Sequence, residues 1–151
     1  MVPVDFSRDS TAALLWAARA AERLDQPLLI LHVVHDPAED PGYYQRALTG
    51  NGAGPDEARL QHIESAAREV MDRFLEDVVG RHPELGPAAG LDRQLVVGVP
   101  TNRILEVAES IGARLIVMGS QGRTGLAHLI LGSKAEQVVR LSQVPVTIVK
   151  S

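Results

Sequence analysis

The run Leu28-Leu-Ile-Leu-His-Val-Val34 is apolar at consecutive positions rather than at alternate ones. A strand with one wet face alternates. One that does not is covered on both faces, which is the habit of parallel sheets packed between helices. Three further segments read as strands of the same sheet: Asp92–Val97, Arg114–Met118 and Val144–Val149. Met1–Val4 reads as a fifth, and it is shorter than a typical strand of about 5–6 residues.

Helical spacing fills the intervals. From Ser10 to Leu24, the residues Leu14, Ala17, Ala18, Ala21 and Leu24 share one face, with Ser7 or Ser10 placed to cap. Trp16, flanked by alanines, reads as helix packing. Asp56–Val79 repeats the pattern with Leu60, Ile63, Ala67, Val70 and Phe74. Thr101–Ile111 turns Ile104, Val107, Ala108 and Ile111 inward. A last helix opens at Gly132 with Ala135, Val138 and Val139 apolar, and Ser133 and Glu136 stand at capping-box spacing. Residues 36–58, rich in Pro, Gly and acid, form a connection too long for a plain turn, so a lid or an excursion. Pro83, Gly86, Pro87 and Gly90 mark another. The order β-α-β-α-β-α-β-α-β predicts a parallel sheet with helices on both faces. The 151 residues suit one domain, 1–151.

Sheets of this kind take ligands at the carboxyl ends of their strands. Asp5, Val33, Val34, Gly98 and Gly119 all fall at such ends. The richest is Gly119-Ser-Gln-Gly122, followed after nine residues by Gly132-Ser133. Glycine allows backbone N–H groups to approach an anion with no side chain between them. Gly132 and Ser133 would set such donors at a helix N-terminus, where the macrodipole favours negative charge. Lys134 and Arg123 stand by to add charge. The spacing matches neither the Walker A loop nor Gly-x-Gly-x-x-Gly. Taken alone, it fits turn-shaping glycines as well as a phosphate loop.

Composition narrows the classes. The formal net charge of −4 argues against a broad non-specific grip on nucleic acid or anionic membrane. With no cysteine there is no disulfide, thiolate nucleophile or Cys-based zinc site. No segment approaches the ~20 apolar residues of a membrane span. The N-terminus lacks a basic region followed by an apolar run, so cytoplasmic residence is the default.

Val-Pro-Val-Asp5-Phe-Ser7, Leu-His-Val-Val34, Val-Val-Gly-Val-Pro100, Val-Met-Gly-Ser-Gln-Gly-Arg-Thr-Gly125, Leu-Gly-Ser133 and Val-Pro-Val-Thr-Ile-Val149 together resemble the universal stress protein family, in its order and over essentially the whole chain. The Gly-x2-Gly-x9-Gly-Ser spacing is similar to that of its ATP-binding branch. The resemblance implies a Rossmann-like, three-layer α/β/α fold with a five-stranded parallel sheet of order 3-2-1-4-5. It implies ATP at the strand ends, with Mg²⁺ as a possible companion, and a homodimer paired through the last strand, Val144–Val149. It implies a nucleotide-dependent regulatory module in the stress response.

Carried onto this sequence, the family's site puts Pro3, Val4 and Asp5 beside the adenosine and the Val33 backbone on adenine. Gly98 lies near the nucleotide. Met118 and Gly119 floor the ribose and phosphate path. Gly122, Gly132, Ser133, Lys134 and Ala135 take the phosphates, with Arg123 as a further cation. Gln121 stands where members often carry His or Arg, so it brings a hydrogen bond but no charge. Members have a few more residues before Val-Pro-x-Asp, so the wall beside Asp5 is expected to be looser here.

Other residues read blandly. His32 reads as a buried, hydrogen-bonded core histidine and His35 as exposed. His62 and His82 read as surface residues, and His128 as solvent-facing or beside a phosphate. Asp36, Glu39 and Asp40 read as a solvated acidic loop rather than a Mg²⁺ site. Gly-x-Ser-x-Gly is absent around Ser120 and Ser133, so nucleophilic catalysis is not expected. A slow ATPase or nucleotidyl transferase, and a dimeric adaptor that binds no nucleotide, remain as alternative readings.

Overall fold

The computed structural model describes residues 1–34, 57–86, 91–122 and 131–151, with only the backbone of residues 57–64. Nine elements follow one another: β1 (Val2–Pro3), α1 (Arg8–Leu24), β2 (Ile30–Val34), α2 (Glu57–Arg81), β3 (Arg93–Val97), α3 (Pro100–Ser110), β4 (Ile116–Gly119), α4 (Ser133–Leu141) and β5 (Val146–Val149). A 3₁₀ turn, Pro83–Leu85, follows α2. All strand pairings are parallel.

The strands alternate between two cores. Val2, Val4, Ile30 and Val117 face α1 and α2, where they meet Ala13, Leu14, Ala17, Met71, Leu75 and Val78. Met1, Leu31, Ile116 and Met118 face α3 and α4, where they meet Ile104, Val107, Ala108, Ala135 and Val138. Two helices therefore cover each face, and each large side chain removed from water here contributes about 1.5–3 kcal/mol. The central strands are buried and the edge strands are not: β5 is half-exposed at all four positions and β3 begins with exposed Arg93 and Gln94.

The sheet departs from the expected single ladder of order 3-2-1-4-5. It divides into a three-stranded sheet, β1-β2-β3, and a two-stranded sheet, β4-β5. Two bonds span the division, from Met1 N to Leu115 O at 2.9 Å and from Val117 N to Met1 O at 3.0 Å. The next rung would need an N–H from Pro3, and proline has none. The seam between the sheets thus has a covalent cause.

Several faces also rotate. Leu24 is 66% exposed, because α1 ends there and Asp25 turns the chain at φ +49°. Trp16 is 43% exposed, so it lies on the outer face of α1 and not in its packing. Among the described side chains of α2 the buried ones are Met71, Leu75 and Val78, while Val70 looks outward; Leu60 and Ile63 lie outside the described side chains. Ile111 lies past the end of α3 and is exposed, as is Val139. Ser7 does cap α1, its hydroxyl accepting from Ser10 N at 3.1 Å. Ser133 does not cap α4. Gly132 is the capping residue and no side chain bonds there, so the expected Ser133–Glu136 box is not formed. The helix starts one residue earlier than the box requires, at Ser133 itself. The connection 36–58 lies outside the described residues, apart from its last two, which open α2.

Candidate functional site

Hydrogen-bond directions along the strands locate a crevice. Ile30 N bonds Asp92 O and Val34 O receives Gly98 N, so even-numbered residues of β2 face β3. Val2 N bonds Leu29 O and Val4 N bonds Leu31 O, so odd-numbered residues face β1. This alternation turns the Val33 N–H and C=O toward the β1 side, one step past Val4, where β1 has already ended. On β4 the same rule sends Gly119 toward β1, while Ser120 N makes the last bond to β5, on Val149 O at 2.7 Å. The crevice is the gap between these strand ends.

Asp5 and the glycine loop meet there. A Cβ on Gly122 would sit 2.7 Å from Asp5 Oδ2, so only glycine fits without displacing the carboxylate. Gly132 N donates to Ser120 O at 2.7 Å, which ties the start of α4 to the end of β4. A Cβ there would lie 3.3 Å from the same oxygen. Ser133 and Lys134 are exposed on the first turn of α4, and Ala135 is buried beneath them. The first N–H groups of α4, with no side-chain cap, leave backbone donors for a ligand.

The remaining expected residues sort as follows. Pro3 and Val4 are buried in the wall behind Asp5. Gly98 holds φ +144°, and its Cα is overlaid by the Arg103 side chain, whose Cγ would lie 2.8 Å from an added Cβ. The Met118 side chain belongs to the α3–α4 core, so only its backbone is left for a ligand. Gly119 has a packing role: an added Cβ would lie 2.7 Å from the Asp9 carbonyl carbon and 2.8 Å from Ser10 N. Gln121 accepts at its carbonyl from Ser7 Oγ, 3.4 Å away. Arg123, Gly125, His128, His35 and the acids Asp36, Glu39 and Asp40 lie outside the described residues. Among the described residues no group of three His, Asp or Glu could hold a metal ion.

Two residues escaped the sequence reading. Phe6 has φ +66°, a left-handed conformation that costs a non-glycine residue roughly 1–2 kcal/mol. Its ring lies 4.2 Å from that of His32 and 5.2 Å from that of Phe74. The bend is further held by Asp5 Oδ1, which accepts from Ser7 N at 3.1 Å. His32 Nδ1 donates to Val4 O at 2.7 Å, so His32 is hydrogen-bonded as expected, but half-buried rather than buried.

The second is Asp9, on the first turn of α1. Its Oδ2 accepts from Ser120 Oγ at 2.5 Å and Gln121 N at 3.0 Å, and its Oδ1 from Ser151 Oγ at 2.5 Å. Burial opposes its ionisation. The hydroxyls of Ser120 and Ser151 and the N–H groups of Gln121 and Ser151 outweigh that, and hold the carboxyl below its ordinary range. A carboxyl depressed by folding adds stability above its unfolded pKa, about 3.9, and loses it as the pH falls through the folded value. Asp9→Asn is therefore expected to flatten the acid limb of thermal stability below about pH 4. Calorimetry from neutral pH into acid reads this directly, and an unchanged limb would contradict it.

A parallel α/β fold with helices on both faces and glycines gathered at its strand ends defines a class of small Rossmann-like α/β proteins. The chain belongs to the universal stress protein family, whose family model matches residues 1–150. It is 32% identical over 150 residues to Universal stress protein MJ0531 of Methanocaldococcus jannaschii, covering 99% of this chain and 80% of that one. Universal stress protein MJ0577 of the same organism is 28% identical over 155 residues. The solved structure of MJ0577 superposes with a TM-score of 0.67 at 25% identity, over 99% of this chain and 94% of that one. A universal stress protein crystallised in complex with cAMP superposes with a TM-score of 0.60, also at 25% identity, over 99% and 93%.

Proposed function

We propose that this chain is an ATP-binding universal stress protein that works as a nucleotide-gated regulatory module. The observation that carries the reading is the contact of Gly122 with the Asp5 carboxylate, where a Cβ would stand only 2.7 Å away. It sets the backbone of the glycine loop directly against a hydrogen-bond acceptor. The related structure in complex with cAMP supports an adenine nucleotide as the ligand class.

In this reading the Asp5 carboxylate accepts from the ribose hydroxyls, and Pro3 and Val4 back it. The Val33 backbone offers one donor and one acceptor to the adenine edge, and Gly98 leaves room beside it. The backbone of Met118 and Gly119 floors the path to the phosphates. The N–H groups of Gly122, Ser133, Lys134 and Ala135 receive the phosphates, aided by the Ser133 hydroxyl and the α4 dipole, while Gly132 holds the turn beneath them through its bond to Ser120 O. Gln121 contributes a neutral hydrogen bond. Lys134 supplies positive charge, and Arg123 would add to it. The Asp9 charge does not oppose the phosphates strongly, because its own donors absorb it. Pairing of two copies along the half-exposed β5 edge would carry the nucleotide state to a partner.

The deciding experiment is mass spectrometry of the small molecules released on denaturing freshly purified protein. ATP or ADP near one per chain is the expected result. An empty protein that also ignores added ATP in titration calorimetry would leave the glycines a structural role and favour the adaptor.

A further inference from the structure

We infer that Asp9 is a positioning residue for the nucleotide loop, standing in for a missing strand. The inference rests on the ATP-site reading for its consequence, though not for its geometry. Ser120 N makes the last ladder bond of β4. The next N–H, that of Gln121, points the opposite way, toward β1, and β1 stops at Pro3. Asp9 Oδ2 receives that N–H at 3.0 Å, where a strand carbonyl would otherwise be. The same oxygen takes the hydroxyl of the buried Ser120 at 2.5 Å.

Asp9 reaches this place because Gly119 has no side chain. The first turn of α1 lies so close that a Cβ would collide with Asp9 and Ser10. One residue beyond Gln121, Gly122 sits against Asp5. Asp9 thus sets the direction in which the chain leaves β4, and with it the seating of Gly122 against Asp5. Its second oxygen holds Ser151, just past β5, so the end of that strand and the loop share one carboxylate.

Asp9→Ala removes both acceptors, and Asp9→Asn keeps one oxygen for Ser120 and Gln121. Amide exchange by NMR on the ligand-free protein reads the loop, and ATP titration reads the consequence. In Asp9→Ala the Gln121 amide is expected to exchange about ten-fold faster or more, with ATP about ten-fold weaker, the loss of one charged hydrogen bond. Asp9→Asn is expected to recover most of both. Unchanged exchange at Gln121 in Asp9→Ala would overturn the inference. So would faster exchange with undiminished ATP affinity. If Asp9→Ala does not fold, Asp9→Asn with Ser120→Ala gives the same comparison with one donor and one charge removed. Faster exchange in a protein whose wild type takes no ATP would uphold Asp9 as the loop's anchor and reject the ATP reading alone.

Discussion

Gly122→Val combined with Gly132→Val is expected to abolish ATP retention while leaving the fold intact. At Gly122 the first added carbon meets the Asp5 carboxylate at 2.7 Å, and two methyls then crowd it further. At Gly132 the added carbon presses on the Ser120 carbonyl at 3.3 Å, so the α4 N-terminus must swing from its tie to β4. Neither position lies in a core cluster, so secondary structure by circular dichroism should persist. The expected loss of ATP affinity exceeds roughly 100-fold, about 2.7 kcal/mol. Wild-type affinity in the double variant would remove the glycine loop from the site.

The opposite behaviour is expected at Gly119. Gly119→Ala places a carbon 2.7 Å from the backbone of Asp9 and 2.8 Å from Ser10 N, and a helix backbone cannot swing aside as a side-chain tip can. The first turn of α1 must move off β4, the strand against which α1 makes its main contact. Overpacking of this kind costs about 1–3 kcal/mol. In a protein of this size that lowers the thermal midpoint by roughly 2–12 °C. The two glycines look alike in sequence, yet substitution is expected to cost stability at one and ATP retention at the other. A Gly119→Ala protein as stable as the wild type would refute the close approach.

Much of this was legible in the residues. The two-sided apolar runs predict buried parallel strands, and Leu14, Ala17, Ile104, Val107, Ala108, Ala135 and Val138 are buried as their spacing predicts. The glycine motif, Asp5 and Ser7 come together because strand ends gather ligand-binding residues in any such sheet. What escaped depends on contacts between distant segments. Asp9 reads as an ordinary acid on a first helical turn, and only the proximity of β4 makes it an acceptor for Ser120 and Gln121. The bend at Phe6 is held by rings from β2 and α2, which no local pattern announces. The seam at Pro3 follows from one absent proton, which matters only once β4 lies alongside. The shifts at Trp16, Val70 and Ile111 arise where helices end or where the face next to the sheet is narrower than periodicity alone suggests.

The seam also sets an order of events during synthesis. β1 can pair with β2, about thirty residues on, almost as soon as both have emerged. Its bond to Leu115 spans 114 residues. At ribosomal rates of about 5–20 residues per second that partner arrives on the order of ten seconds later. The three-stranded half, with α2 against β2 and β3, therefore has time to collect itself while α1 still lacks β4, the strand it packs on most. β4 and β5 then dock across a junction of two hydrogen bonds and bring the glycine loop down onto Asp5. The crevice at the strand ends is therefore expected to be completed only after β4 has docked beside β1.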